Sequence, residues 1–225
     1  MIRVFVCIRK LAHLSDEQFH AHWRHPHGTL TRRLRQLRGY VQCHGIGPLP
    51  GLTTTPYLGV PMIWLDGLAD LAAMTADPAF APLQADALLL YDQQDVVWMI
   101  MRELPSQPDA GLEARRDCLN ALLLLRRASR CGAADFGKGL EELRDSLRDA
   151  LAGRAQCRIS LPEPAAYAAA PCAYDALLEV RFAERADFGR LWGADAVRTA
   201  LTRAFAGAVD RDASRGFLGQ EERFI

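Results

Sequence analysis

Ile2-Arg-Val-Phe-Val-Cys-Ile-Arg9 is followed, after a short polar break, by Leu14-Ser15-Asp-Glu-Gln18-Phe19, and these two stretches set the architecture. In the first, Ile2, Val4, Val6 and Ile8 alternate with Arg3, Phe5, Cys7 and Arg9, the period of a β-strand. Apolar residues fall on both sides of it, so this strand is expected to be covered on both faces. In the second, Ser15 and Gln18 have the spacing of a capping box, and Leu14 and Phe19 occupy the positions of a hydrophobic staple, which starts a helix at about Asp16. A covered strand leading straight into a capped helix is the opening of a layered α+β fold.

Working outward, Pro26 cannot donate to the carbonyl of His22, so the helix must end or kink near His25. A second segment then carries Leu30, Leu34 and Leu37 on one face. Extended chain from Tyr40 to Ile46, a Gly/Pro/Thr loop from Gly47 to Pro56 and a strand from Tyr57 to Leu65 come next. Leu68, Leu71, Ala72 and Thr75 have helical spacing, Asp77-Pro78 restarts a helix, and Asp95 to Leu104 is rich in strand formers. The order is β-α-β-β-α-β over residues 1–104, the ferredoxin-like unit. Residues 105–114 have the composition of a linker, and the order recurs over residues 115–225. A constant offset of 117 places Val6 on Leu123, Phe19 on Phe136, Ile63 on Val180 and Ile100 on Phe217. The expectation is an α+β chain of two tandem ferredoxin-like repeats that pack sheet to sheet as an intramolecular barrel, with helices outside and a lumen able to serve as a pocket.

Twenty-seven basic residues balance 27 acidic ones, leaving no surplus to neutralise phosphates, so no nucleic-acid partner is expected. The apolar runs fall short of the roughly 20 residues a bilayer needs and the start is no signal peptide, so the expectation is a cytoplasmic protein without a membrane partner. Six cysteines show no C-x-x-C pairing and read as reduced, mostly buried thiols. The charged run Glu141 to Asp149 reads as the solvated face of a helix. No phosphate-cradling loop, nucleophile elbow or dinucleotide fingerprint is present.

All six histidines lie between His13 and His44, with four in His20-Ala-His22-Trp23-Arg-His25-Pro26-His27. Histidine titrates near neutral pH unaided, so acid/base chemistry belongs here first. His27 at the helix break and His44 at a strand end are the leading candidates, with structural hydrogen bonding to backbone as the competing reading for both. His22 and His25 have the spacing of ligands on one helix face, but Pro26 breaks the register and no carboxylate or Cys supports them, so no metal is expected. Phe19 and Trp23, four apart, read as core. Arg9 shares a strand side with Phe5 and Cys7, which assigns it to the lumen as a stabiliser of anionic oxygen, or else to water at the strand end.

These stretches together resemble the EthD-like family of the dimeric α+β barrel superfamily. The likeness is carried by Ser15-Asp-Glu-Gln-Phe19-His-Ala-His-Trp23-Arg-His-Pro-His27-Gly28, by Gly39-Tyr40-Val-Gln-Cys-His44, and by Trp64 with Asp66. It covers residues 2–104. In the second unit the offset puts Arg144, Cys157, Leu161 and Arg181 at the positions of His27, Tyr40, His44 and Trp64, so that unit reads as a degenerate copy supplying the partner sheet. The resemblance implies one pocket per chain for a small hydrophobic or aromatic ligand. It implies His27, His44 and Tyr40 as acid/base residues, with Arg9, Trp23, Trp64, His22 and His25 as ligand contacts. The expected activity is a cofactor-independent lyase or isomerase. The alternatives are a non-catalytic accessory protein that binds a hydrophobic ligand and a haem-binding barrel, and a homodimer of the pseudo-dimeric chain stays open.

Overall fold

A computed structural model describes residues 1–105, 115–151 and 153–225; most of the expected linker lies outside the described residues. The capping box forms at Ser15, whose hydroxyl accepts from the Gln18 backbone at 3.1 Å while its own N–H donates to the Gln18 amide oxygen at 2.8 Å. Strand β1 (Ile2–Cys7) therefore leads into α1 (Asp16–His22), a wide turn (Trp23–His27) and α2 (Gly28–Thr31). Strands β2 (Gly39–Gly47) and β3 (Gly59–Leu65), helices α3 (Leu68–Ala76) and α4 (Phe80–Ala87), and β4 (Val97–Glu103) follow. The rest of the chain supplies β5 (Leu119–Arg127), α5 (Ala133–Ala150), β6 (Ala155–Pro162), β7 (Ala176–Phe182), α6 (Arg185–Leu191), α7 (Asp195–Gly207) and β8 (Val209–Arg223).

The eight strands form one closed antiparallel barrel in the order β1-β3-β2-β8-β5-β7-β6-β4. Closure removes the exposed sheet edges that would otherwise template association. Alternation sorts side chains into two layers: Val4, Val6, Tyr40 and Ile63 pack outward under α1–α4, and in the second half Ala121, Leu123, Leu178 and Val180 pack outward under α5–α7. Helix α5 shows the period behind this, burying Phe136, Leu140, Leu143 and Leu147 while Lys138–Glu142 and Arg148–Asp145 pair on its wet side. Positions 117 apart share a layer on β1/β5 and β3/β7. They part on the last strands, where Ile100 packs on the helix side and Phe217 in the lumen. The register of β8 shifts against β5 between Leu124 and Arg126, and a slip of one residue moves a side chain to the other face.

The lumen is occupied by side chains. Phe5, Cys7, Val41, Met62, Met101 and Leu122 fill much of it, and around them runs a buried ionic network. Arg3 donates to Glu179 at 2.8 Å and to Glu103 at 3.0 Å, and its guanidinium lies 4.7 Å from the Trp64 ring centre. Asn120 donates to Glu179 and Glu221 at 2.8 and 2.7 Å, and Arg181 grips Glu221 at 2.7 Å. Burial disfavours the Glu179 charge, but Arg3, Arg158, Arg181 and Asn120 outweigh it and hold this carboxyl down at about 2. All six cysteines are free and five are buried. Among the described residues, no helix is long and apolar enough to cross a membrane.

Removing one member of a buried pair strands its partner, which typically costs about 3–5 kcal/mol. Glu179→Ala is therefore expected to lower the thermal midpoint by well over ~5 °C, and a midpoint indistinguishable from the parent's would refute a stabilising role. Because the folded pKa of Glu179 is depressed, its contribution is full above the unfolded carboxyl value near 4.5 and fades as pH falls toward 2. Urea midpoints measured across that window should fall more steeply for the parent than for Glu179→Gln.

Candidate active site

Helix α1 stops where Pro26 requires it to. His25 takes extended angles (φ −144°, ψ 123°), and the chain re-enters helix at His27. This break turns the His27 ring inward, where it is buried and its Nδ1 lies 2.8 Å from Oδ2 of Asp86 on α4. The other Asp86 oxygen lies 2.8 Å from Nε2 of the half-exposed His22. A carboxylate accepts, so His27 carries its proton on Nδ1 and leaves Nε2 as an acceptor. Burial lowers the His27 pKa, and Asp86 opposes that only in part, so the ring is neutral at pH 7.

His27 lines a cavity of about 120 Å³ between the outer face of the first four strands and the helices above them. Tyr40, Ile63, Val6 and Trp98 form its floor, and Thr31, Met74, Leu83 and Tyr91 are among its walls. Tyr40 is almost wholly buried, and its hydroxyl accepts from the Gln42 amide at 2.7 Å. Burial raises its pKa, with Thr31 and Gln42 opposing, so the phenol keeps its proton.

The polarity of this phenol is set from behind. On the outer side of β2, Gln42 Oε1 lies 3.1 Å from His44 Nε2, and His44 Nδ1 lies 2.9 Å from His20 Nδ1. Gln42 can only accept at that oxygen, so His44 donates from Nε2 and accepts at Nδ1 from His20. Donors then run in one direction, His20 to His44 to Gln42 to Tyr40. The Tyr40 proton points away from Gln42, onto the Thr31 hydroxyl oxygen beside it or onto a ligand oxygen. Thr31 donates its own proton to the His27 carbonyl at 3.0 Å.

Of the residues singled out in the sequence, His27 and Tyr40 share the cavity. His44 does not: it is buried under α1, 4.4 Å from the Trp23 ring centre, and burial with the His20 and Arg24 charges drives its pKa down to about 3. Trp23 is core, stacked 5.5 Å from Phe19. Trp64 faces the lumen, so Tyr40 and Trp64 lie on opposite faces of the sheet. Arg9 is not in the lumen; β1 has ended before it, and it pairs with Asp95 at 3.1 Å with most of its side chain in water. His25 is exposed and meets Thr29 at 3.2 Å.

Three contributors lie outside the set expected from sequence. Asp86 is 59 residues from His27 and announces itself by nothing but its type, whereas Gln42 lies between Tyr40 and His44 at the strand period and was open to detection. The third is Phe224, just past β8, whose ring sits 5.3 Å from that of Tyr40 and whose N–H donates to the Tyr40 carbonyl at 2.9 Å. Gly28 is required beneath it, since a Cβ there would come within 2.6 Å of the Phe224 ring. Among the described residues, no cluster of three or more His, Cys, Asp or Glu is placed to hold a metal ion.

Solved structures of the same fold span nearly the whole chain. An anthrone oxidase-like protein aligns with a TM-score of 0.56 at 10% identity, covering 99% of this chain and 92% of the other. Chlorite dismutase from Candidatus Nitrospira defluvii, solved with imidazole, aligns at 0.55 and 10% identity, covering 98% and 90%. A haem-binding protein from Thermus thermophilus aligns at 0.50 and 13% identity, covering 100% and 91%. At these identities the likeness is one of fold. No curated protein matches the sequence. The profile described as EthD domain matches residues 11–94, the stretch that carries His27, Tyr40 and Asp86, and over that stretch the chain is similar to the EthD domain.

Proposed function

We propose that the chain is a cofactor-independent lyase or isomerase that moves a proton on a small, flat, oxygenated hydrophobic compound, with His27 as the base. The observation that carries this reading is the 2.8 Å Asp86–His27 contact, which commits Nδ1 and leaves Nε2 as the basic nitrogen of a ring that shares a cavity with the Tyr40 phenol. A ligand carbonyl accepts from Tyr40, and His27 Nε2 takes the proton from the adjacent carbon. The electron pair of that C–H bond moves into the new enolate, whose oxygen Tyr40 stabilises as charge develops. The proton on Nε2 then returns to a different carbon, which isomerises the ligand, or goes to a β-hydroxyl that leaves as water. Asp86 holds the imidazolium formed between the two steps, as a carboxylate behind a catalytic histidine does.

The second half is read as a degenerate repeat that closes the barrel: Arg144, Cys157 and Leu161 stand where His27, Tyr40 and His44 would be, and none of them can serve as a base near neutral pH. Haem, suggested by one relative of the fold, does not fit this cavity. A space of about 120 Å³ takes a single ring and not a porphyrin.

Exchange of the α-hydrogens of a cyclic aryl ketone in D₂O, followed by NMR, tests the reading. His27→Gln should slow exchange by about 10²-fold to 10⁴-fold with the fold intact; exchange at the parent rate would end this mechanism. Asp86→Asn should also slow it and should lower the His27 pKa, read from its Cε1–H resonance. The active form is the neutral imidazole and its pKa lies below the usual 6.5, so activity should be full above pH 6.5 and be lost as pH falls through the folded value. A chain that binds such ketones without His27-dependent exchange is a binding protein instead.

A further inference from the structure

The cavity floor crosses the first sheet from one side to the other, taking Tyr40 from β2, Ile63 from β3, Val6 from β1 and Trp98 from β4. Register places them on two neighbouring rows: Tyr40 opposes Ile63, which opposes Val4, and Val6, two residues further along β1, opposes Trp98. Strands sit about 4.8 Å apart and rise about 3.4 Å per residue, so three spacings and a two-residue step put Trp98 roughly 16 Å from Tyr40 across the sheet. The two ends differ. Tyr40 is 1% exposed, whereas Trp98 is 46% exposed, far more than Trp23 or Trp192. A large aromatic ring left half in water at the mouth of an apolar cavity is the arrangement of a contact surface. The cavity volume is about 120 Å³, of the same order as the roughly 150 Å³ of a cavity that holds one benzene ring. It holds one ring at most, yet its floor is longer than one ring.

We propose that Trp98 is the outer binding platform of this cavity, and that the ligand is a flat compound of two or more fused rings, its oxygen at Tyr40 and His27 and its far ring stacked on the indole. The proposal rests on the reading of the cavity as the ligand site, and adds the size and shape of the ligand. Tyr91, Gln93 and the half-buried Phe80 line the same cavity. Trp98 is thus a specificity-determining residue: a single-ring phenol fits without it, and a fused-ring phenol does not bind well without it.

Phenol and 2-naphthol, titrated by calorimetry into the parent, Trp98→Ala and Trp98→Phe, separate these cases. In the parent both probes should shift the His27 Cε1–H resonance, and only 2-naphthol should shift the Trp98 indole N–H. Trp98→Ala should weaken 2-naphthol about fivefold to tenfold and leave phenol within about twofold, while Trp98→Phe should keep most of the affinity, as stacking requires. If phenol moves His27 but Trp98→Ala weakens both probes alike, or neither, the platform is wrong and the cavity reading stands. If phenol leaves His27 unmoved, the cavity reading falls and the platform falls with it.

Discussion

A carboxylate inside a barrel is tenable only when its charge is met on the spot, and Glu179 is met by Arg3 at 2.8 Å and Asn120 at 2.8 Å. Arg3 belongs to β1 and Glu179 to β7, so the pairing crosses from the first four strands to the last four. Glu221 and Arg181 extend it to β8. A buried network of this kind contributes modestly to net stability compared with an apolar core, but leaving any member unmet is expensive, which penalises alternative registers. The network and the apolar residues packed around it take up the lumen, and the candidate chemistry lies on the other side of the sheet, under α2, α3 and α4.

On that side one break in a helix does most of the positioning. Had α1 continued past Trp23, His27 would have pointed along a regular helical face. The extended backbone at His25 instead delivers its ring to Asp86 on a distant helix. Tyr40 arrives from the sheet below with its acceptor side already filled by Gln42. The cavity thus presents an acceptor, His27 Nε2, and a donor, the Tyr40 hydroxyl, whose roles are fixed by partners outside it. Neutral imidazole and protonated phenol are both favoured by burial, so the same desolvation that builds the cavity also sets the protonation states of the two groups.

Much of this is legible in the sequence. Ser15 and Gln18 locate the helix start to the residue, and the break at Pro26 falls where backbone chemistry demands. The alternation in β1 puts Phe5 and Cys7 in the lumen, where they are found. What fails is the step from strand parity to function: Arg9 continues the parity of Phe5, but the strand has ended and the side chain is in water, while Arg3 is the arginine that parity buries. Tyr40 and Trp64 look alike as aromatic strand residues, although their registers send them to opposite faces. Positions 117 apart share a layer on β1/β5 and β3/β7 and part on β8, whose irregular pairing no spacing reveals. Asp86 is out of reach because a carboxylate brought to a histidine by tertiary folding leaves no local pattern.

Phe224 gives the two halves an asymmetric relationship. It follows a strand of the second half, yet its ring is the back wall of Tyr40 and the ceiling over Gly28. The histidine-free half is therefore not a passive shell: it reaches across and packs against Tyr40 and Gly28 of the other half. A first half excised on its own would keep His27, Asp86 and Tyr40 in sequence and lose the wall that seats the phenol. The covalent tether between the halves then has a structural meaning, since it guarantees each cavity-bearing half a neighbour of different sequence, an arrangement that identical subunits could not supply.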